Sequence, residues 1–336
     1  MSPSRPQGIP AAGASWAWCI RFLGATLCIA VIFCWTNYKI NLYGLFGNVR
    51  GMDRPVYLDE AQAKYLLSMN YVPSNFDGVL VGSSITDSWD TGRVRGLKLY
   101  NASITGGNIS EEKLLADNIL DRGRLRVMLI CVWPYMTASH GRLEGGMEAR
   151  QYWEGLGSLR LLYSYKEFLL IRARRRHVSH DRNGVGQWDN VDTPEKTEWR
   201  SHPKPFAPEE FPIDPVALQE YRDLVWKARQ SGTLLVRLIP PVYYDKWLAN
   251  RSNYAAYFQK MSELFNEQAE PLIDCNTPQF DEFRKNRANF LDGIHLSADA
   301  CTRVSDYVAT ELERIMSERS FLQHASTPGP AGARSE

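Results

Sequence analysis

The chain has 336 residues, 44% hydrophobic and 12% aromatic, enough for one large or two small domains. Its 39 Lys and Arg against 38 Asp and Glu leave a net charge of +1, so no broad electrostatic feature points to nucleic acid as a partner. The six cysteines (Cys19, Cys28, Cys34, Cys131, Cys275 and Cys301) form no CxxC pair. That spacing argues against a zinc site or a disulfide framework, and no cofactor is expected. One disulfide among the last three stays open for an extracytoplasmic chain.

Residues 1–14 are rich in Pro, Gly, Ala and Ser and are expected to be disordered. An apolar anchor follows over 15–36. Its core, Trp16–Trp35, carries a single charge, Arg21, and is long enough to span a bilayer. Arg21 lies near one end, where it can snorkel, and Trp16, Trp18, Trp35 and Tyr38 suit two aromatic belts. No clear cleavage site or lipobox accompanies the run, so an uncleaved anchor is expected rather than a signal peptide. Flanking charges orient it weakly: Arg5 and Arg21 on one side, Lys39, Arg50 and Arg54 on the other. The expectation is a single-pass membrane protein, N-terminus inside, with its bulk on the extracytoplasmic side.

A connector over 37–76, with a short helix at Asp59–Met69, leads into the main domain, 77–322. Apolar, β-branched runs at 78–82, 97–101, 125–132, 233–239 and 271–274 alternate with helical patterns at 109–121, 215–231, 253–269 and 298–317. Such alternation predicts a parallel sheet covered on both faces, a flavodoxin-like three-layer α/β/α sandwich. An insertion at about 136–214 interrupts it, with several aromatics and the basic run Arg172–His177. That run reads as a solvated helix face, or as a contact for anionic lipid head groups or an acidic polymer. The tail, 323–336, is expected to be disordered.

Two distant motifs carry chemistry. Val79-Leu80-Val81-Gly82-Ser83-Ser84 reads as a buried strand ending in a serine turn. Phe290-Leu291-Asp292-Gly293-Ile294-His295-Leu296-Ser297 reads as a tight loop before a helix. Together they offer a hydroxyl nucleophile, an imidazole base and a carboxylate to orient it, the parts needed for acyl transfer.

These segments resemble the blocks of the SGNH/GDSL hydrolase superfamily. The resemblance covers about 78–132 and 233–317. It implies Ser84 as nucleophile, with Ser83 standing where the family has Asp and kept as a second candidate. It implies His295 as the base and Asp292 as its orienting carboxylate. The stretch Tyr100–Asn108 matches the second block, so the N–H groups of Ser84 and Gly106 are expected to form the oxyanion hole. The helix after Ser84 is expected to favour a developing negative charge. The third block departs from the pattern: Trp133-Pro134-Tyr135-Met136 has no Asn, and Asn108 is the candidate replacement donor.

The resemblance extends to membrane-anchored bacterial members linked to surface-polysaccharide acylation. It implies an acyl esterase or O-acyltransferase, a carbohydrate or acyl-ester substrate, and polysaccharide-biosynthesis proteins as partners. Trp133, Tyr135, Tyr152 and Trp153 are read either as a sugar-stacking lid or as local packing. A lipid-directed esterase or thioesterase and a non-catalytic glycan-binding scaffold stay open as alternatives. Of the other histidines, His140, His177, His180 and His202 show no patterned partners.

Overall fold

The computed structural model describes residues 12–47, 49–50, 56–138, 149–175, 179–187, 199, 205–266 and 268–325. Five parallel strands form one sheet in the order β2-β1-β3-β4-β5. They are β1 Gly78–Val81, β2 Leu99–Asn101, β3 Val127–Cys131, β4 Leu234–Ile239 and β5 Leu272–Asp274, each inside an expected run. Neighbouring residues serve opposite faces. Val79, Val81, Met128 and Ile130 join one buried cluster, while Leu80, Val127, Leu129 and Val236 join the other. A sheet buried on both faces needs such continuous apolar strands. Register follows from the same pattern, with Leu80 beside Leu129 and Leu129 beside Val236.

The helices are α1 Ala12–Ile40, α2 Glu60–Ser68, α3 Tyr71–Asn75, α4 Ser84–Asp87, α5 Ile109–Arg122, α6 Pro134–Thr137, α7 Ala149–Leu156, α8 Leu159–Arg172, α9 Pro215–Gln230, α10 Tyr244–Ala249, α11 Arg251–Ser262, α12 Asp281–Lys285 and α13 Ala298–Ala325. One face of the sheet is covered by α2, α5, α9 and α11 through Leu66, Leu115, Tyr221 and Tyr257. The other is covered by α13 through Ala300, Val304, Val308 and Leu312. This is the expected α/β/α sandwich, with strand order reversing beside β1 and β3, where such sheets leave a crevice at their C-terminal ends.

Several boundaries differ from expectation. α11 stops at Ser262, because the N–H groups of Leu264 and Phe265 fold back to Met261 and Ser262. Glu270 then takes the Asn266 N–H and turns the chain into β5. α13 runs to Ala325, past 317. The insertion contributes α7, α8 and a pinned segment at 179–187. Cys131, Cys275 and Cys301 are buried free thiols.

Within α1, Trp16–Ile40 contains an 18-residue stretch with a mean hydropathy of 2.1 and is long and apolar enough to cross a membrane. The helix ends where Asn41 enters the left-handed region at φ 48 and its side-chain oxygen accepts the Phe46 N–H.

The turn after β1 has no spare volume. A Cβ on Gly82 would lie 2.2 Å from Thr86 Oγ1 and 3.1 Å from both Cys131 Cβ and Ser103 Oγ. Gly82→Ala is therefore expected to destabilise the fold by about 1–3 kcal/mol through overpacking. A lower denaturant midpoint in full-length protein checks this; an unchanged midpoint contradicts it.

Candidate active site

Each strand end at the C-terminal edge delivers a loop to one place. β1 delivers Ser84, the first residue of α4. Ser83 is its N-cap residue and is buried, so of the two serines it is Ser84 that lines the neighbouring cavity. α4 is only four residues long, so the helix-dipole support expected at Ser84 shrinks to a single turn.

The loop before α13 delivers His295. Phe290 and Leu296 are buried anchors that pair across the loop, and the Leu291 N–H donates to the His295 carbonyl. Between them Asp292 Oδ1 accepts the N–H groups of Ile294 at 2.8 Å and His295 at 2.7 Å. Its other oxygen lies 2.7 Å from His295 Nδ1. An ionised carboxylate only accepts, so the ring proton sits on Nδ1 and Nε2 is left as an acceptor. Ser84 Oγ lies 2.9 Å from that Nε2, across 211 residues of chain. Ser84, His295 and Asp292 are thus brought together in one continuous relay.

Burial raises the Asp292 pKa, but the hydrogen bond and charge of His295 and the two backbone donors outweigh it, holding the carboxyl below its ordinary range. Half of that side chain stays open to solvent, which screens the pair.

The loop after β2 lies alongside. Ser83 and Ile104 form an isolated parallel bridge, which sets the Ser84 turn beside Thr105-Gly106. Gly106 has φ +71, a conformation that side chains disfavour. The Asn108 side chain is engaged through its oxygen, while its Nδ2 is buried with no hydrogen-bond partner among the described residues. Its side-chain oxygen accepts from Ser110 and Glu111 N–H, and Glu111 bonds back, completing a capping box at the start of α5. Thr105 lines the Ser84 cavity, whereas Gly106 and Asn108 do not.

That cavity, about 510 Å³, is bordered by Ser84, Asp292 and His295, by Ile85, Leu291 and Leu296, and by polar Ser88, Asp90 and Thr302. Asp181, Val185, Gly186 and Gln187 of the insertion close one wall. This wall is fixed: Gly186 N–H donates to Asp87 O at 3.0 Å, and Asn101 N–H to Asn183 O at 2.7 Å. The expected aromatic lid divides instead. Trp133 is buried, with its ring 5.9 Å from Tyr254, so it is packing. Trp153 stands exposed on α7, and Tyr135 sets its hydroxyl 3.3 Å from the Gly106 carbonyl.

Beneath the two loops lies a charged cluster that sequence reasoning missed. Lys64, fully buried on α2, places Nζ 2.6 Å from Asp87 Oδ1 and 3.1 Å from Glu60 Oε1, and donates to the Ser103 carbonyl. Glu60 also accepts the Thr105 N–H at 3.1 Å, and Glu112 the Ile104 N–H at 2.9 Å. His180 stacks on Tyr57, with Nε2 3.5 Å from Asp87 and 3.7 Å from Glu60. Those are charge-pair rather than hydrogen-bond separations. Glu60, Asp87 and His180 offer ligand atoms within 4.8 Å of one another, the donor set of a metal site. The Lys64 ammonium already lies on both carboxylates, so a side chain fills the cation's place. His140, His177 and His202 lie outside the described residues.

No protein-family model and no curated protein matches the chain. Solved structures similar to it include a protein from Streptococcus pneumonia provisionally assigned as a platelet activating factor. It has 13% identity and a TM-score of 0.43, over 76% of this chain and 92% of that one. Another is LAE5, an alpha/beta hydrolase enzyme from the metagenome of Lake Arreo, Spain, with 14% identity and a TM-score of 0.36, over 72% and 98%. Neither likeness bears on this chain's chemistry.

The buried cluster makes stability depend on pH. Burial raises the Asp87 pKa, but the charge of Lys64 and the contact with His180 bring it down to about 2. Its contribution holds above the ordinary carboxylate range and fades as pH falls toward that value. Burial lowers the His180 pKa, but Asp87 and Glu60 raise it further than burial lowers it. Its contribution holds below about pH 6.5 and fades as pH rises through the raised value. Lys64→Met strands buried carboxylates and is expected to cost about 3–5 kcal/mol. His180→Gln is expected to flatten the decline in stability on the alkaline side. Denaturant unfolding across pH checks both, and wild-type profiles in both variants would contradict the assignment.

Proposed function

We propose that the protein is a serine-dependent acyl esterase or O-acyltransferase acting on short acyl esters of a cell-surface or exported polysaccharide. Its α/β domain works on the outer side of the bacterial inner membrane, held there by α1 as a single anchor. The observation that carries this reading is the relay from Ser84 Oγ through His295 to Asp292 at the wall of an open cavity.

Ser84 Oγ attacks the acyl carbonyl while His295 Nε2 takes its proton. Asp292 keeps the ring in the tautomer that can do so and stabilises the imidazolium. The Ser84 and Gly106 N–H groups hold the oxyanion. Collapse returns the proton from His295 to the departing alcohol oxygen and leaves an acyl-Ser84. Water or a sugar hydroxyl then gives its proton to His295, takes the acyl group, and frees Ser84.

The carbohydrate half of the reading is supported by a second cavity of about 420 Å³. It is lined by Tyr135 and Phe211 together with Glu209, Glu210 and Lys246, over the buried Trp133 and Tyr254, and it reaches Ile294, the neighbour of His295. Aromatic faces beside carboxylates suit a polyhydroxylated ring. Against a non-catalytic scaffold stands the Ser84–His295 contact. Polysaccharide-biosynthesis proteins are the partners that such an anchored enzyme would need.

Ser84→Ala and His295→Ala are expected to lower turnover of a short acyl ester by about 10³-fold or more, and Asp292→Asn by a comparable order. Glu210→Gln is expected to raise KM for an acetylated oligosaccharide more than for an aryl acetate. Steady-state kinetics on the full chain in detergent test both. Wild-type turnover in folded Ser84→Ala would overturn the reading.

A further inference from the structure

Helix α8 has two apolar faces. Leu161 and Tyr165 point inward and are buried, and Phe168 and Ile171 pack beside them. Leu159, Leu162, Tyr163 and Leu169 lie on the opposite stripe and are 84%, 47%, 46% and 60% exposed. Their spacing is that of one helix side. Trp153 on α7 adds another exposed ring. The exposed charged side chains on and just after α8 are basic: Arg172, Arg174 and Arg175 at its end, Lys166 within the stripe over the Tyr163 ring, and Arg160, which is paired with Asp59. Contiguous exposed apolar surface of this kind marks a contact.

The position of the stripe tells what it contacts. α7 and α8 clasp the last turns of α1. The Tyr165 hydroxyl donates to Asn37 Oδ1 at 2.7 Å, Asn37 Nδ2 donates to the Leu156 carbonyl at 2.7 Å, and the Phe33 and Tyr165 rings meet at 6.4 Å. Phe33 and Asn37 bracket Trp35, which with Tyr38 forms the aromatic belt where the apolar segment ends. The helix pair is therefore held at the level where the anchor leaves the bilayer.

We propose that α8 lies on the membrane surface, its Leu159–Leu169 stripe sunk into the head-group boundary and its basic side chains on anionic lipid. This rests on the reading of α1 as a membrane anchor. An apolar stripe flanked by Lys and Arg is the pattern of interfacial helices. The second contact would stop the domain from swinging on a single helix and give the catalytic cleft a fixed attitude to the membrane.

The test uses full-length protein in nanodiscs of phosphatidylcholine and phosphatidylglycerol, with the anchor cysteines replaced by Ser. Nitroxide labels at Leu162→Cys, Leu169→Cys and Gln219→Cys, and at Cys28 retained alone, are compared by oxygen and nickel-chelate accessibility. The labels at 162 and 169 are expected roughly 5–10 Å into the boundary region, with 219 in water and Cys28 deep. If 162 and 169 are as water-accessible as 219 while Cys28 is deep, the docking inference falls and the anchor stands. If Cys28 is in water, the anchor reading falls and the inference with it. If 162 and 169 are shielded from both reagents, protein covers the stripe and the inference is overturned.

Discussion

The Lys64 ammonium is the charge on which the candidate site depends. It sits out of water between α4 and the loop after β2, bonded to Asp87 on one side and to the Ser103 carbonyl on the other. Glu60, its third partner, holds the Thr105 N–H. Ser84 is three residues before Asp87, and Gly106 directly follows Thr105. The backbones that carry Ser84 and Gly106 are thus tied to one nitrogen. A buried ion cluster is costly to desolvate, and replacing all of its members by apolar side chains is often neutral, whereas removing one strands the others. What it contributes here is a defined spacing between two loops that sheet pairing alone leaves free beyond the strand ends.

Above this tie the chemistry divides by direction. The relay runs sideways, from Ser84 to a loop pinned by buried Phe290 and Leu296. The cavity beside it mixes apolar and polar walls and has room for a short acyl group. The aromatic and acidic cavity lies past Tyr135 and Ile294, where an alcohol leaving group or acceptor would sit. Asp292 uses both carboxylate oxygens, one for the ring and one for its own loop, so orientation of the base and rigidity of the loop come from the same group.

Much of this was legible in the sequence, for physical reasons. Strands buried on both faces favour continuous apolar runs, as in β1 and β3, while β4 carries Arg237 within its run and the edge strand β5 leaves Leu272 exposed. An Asp three residues before a His, between apolar anchors, can close on itself locally, so the loop could be read without knowing the fold. The Lys64 cluster could not. Lys64 sits on a short helix among polar residues and looks like a solvated side chain, while its partner Asp87 is 23 residues away. His180 joins from the insertion, where no periodicity predicts a contact. Trp133 was read as a lid candidate because it follows a strand end, but the space beside Tyr254 draws it into the core. The Asn-x-x-Glu pattern that Asn108 begins is a helix cap made by its side-chain oxygen, and its Nδ2 is left unpaired among the described residues. The outer stripe of α8 was hidden because an inner stripe of equal hydrophobicity blurs its helical asymmetry.

The most direct test of the central claim is covalent. Full-length protein would be exposed briefly to an activated short acyl ester and its intact mass measured, with peptide mapping of any adduct. One acyl group on Ser84, absent from Ser84→Ala and slow to form in His295→Ala, is the expected result. Folded wild-type protein that takes up no acyl group and turns over none of the esters, or that is acylated only elsewhere, would contradict the account.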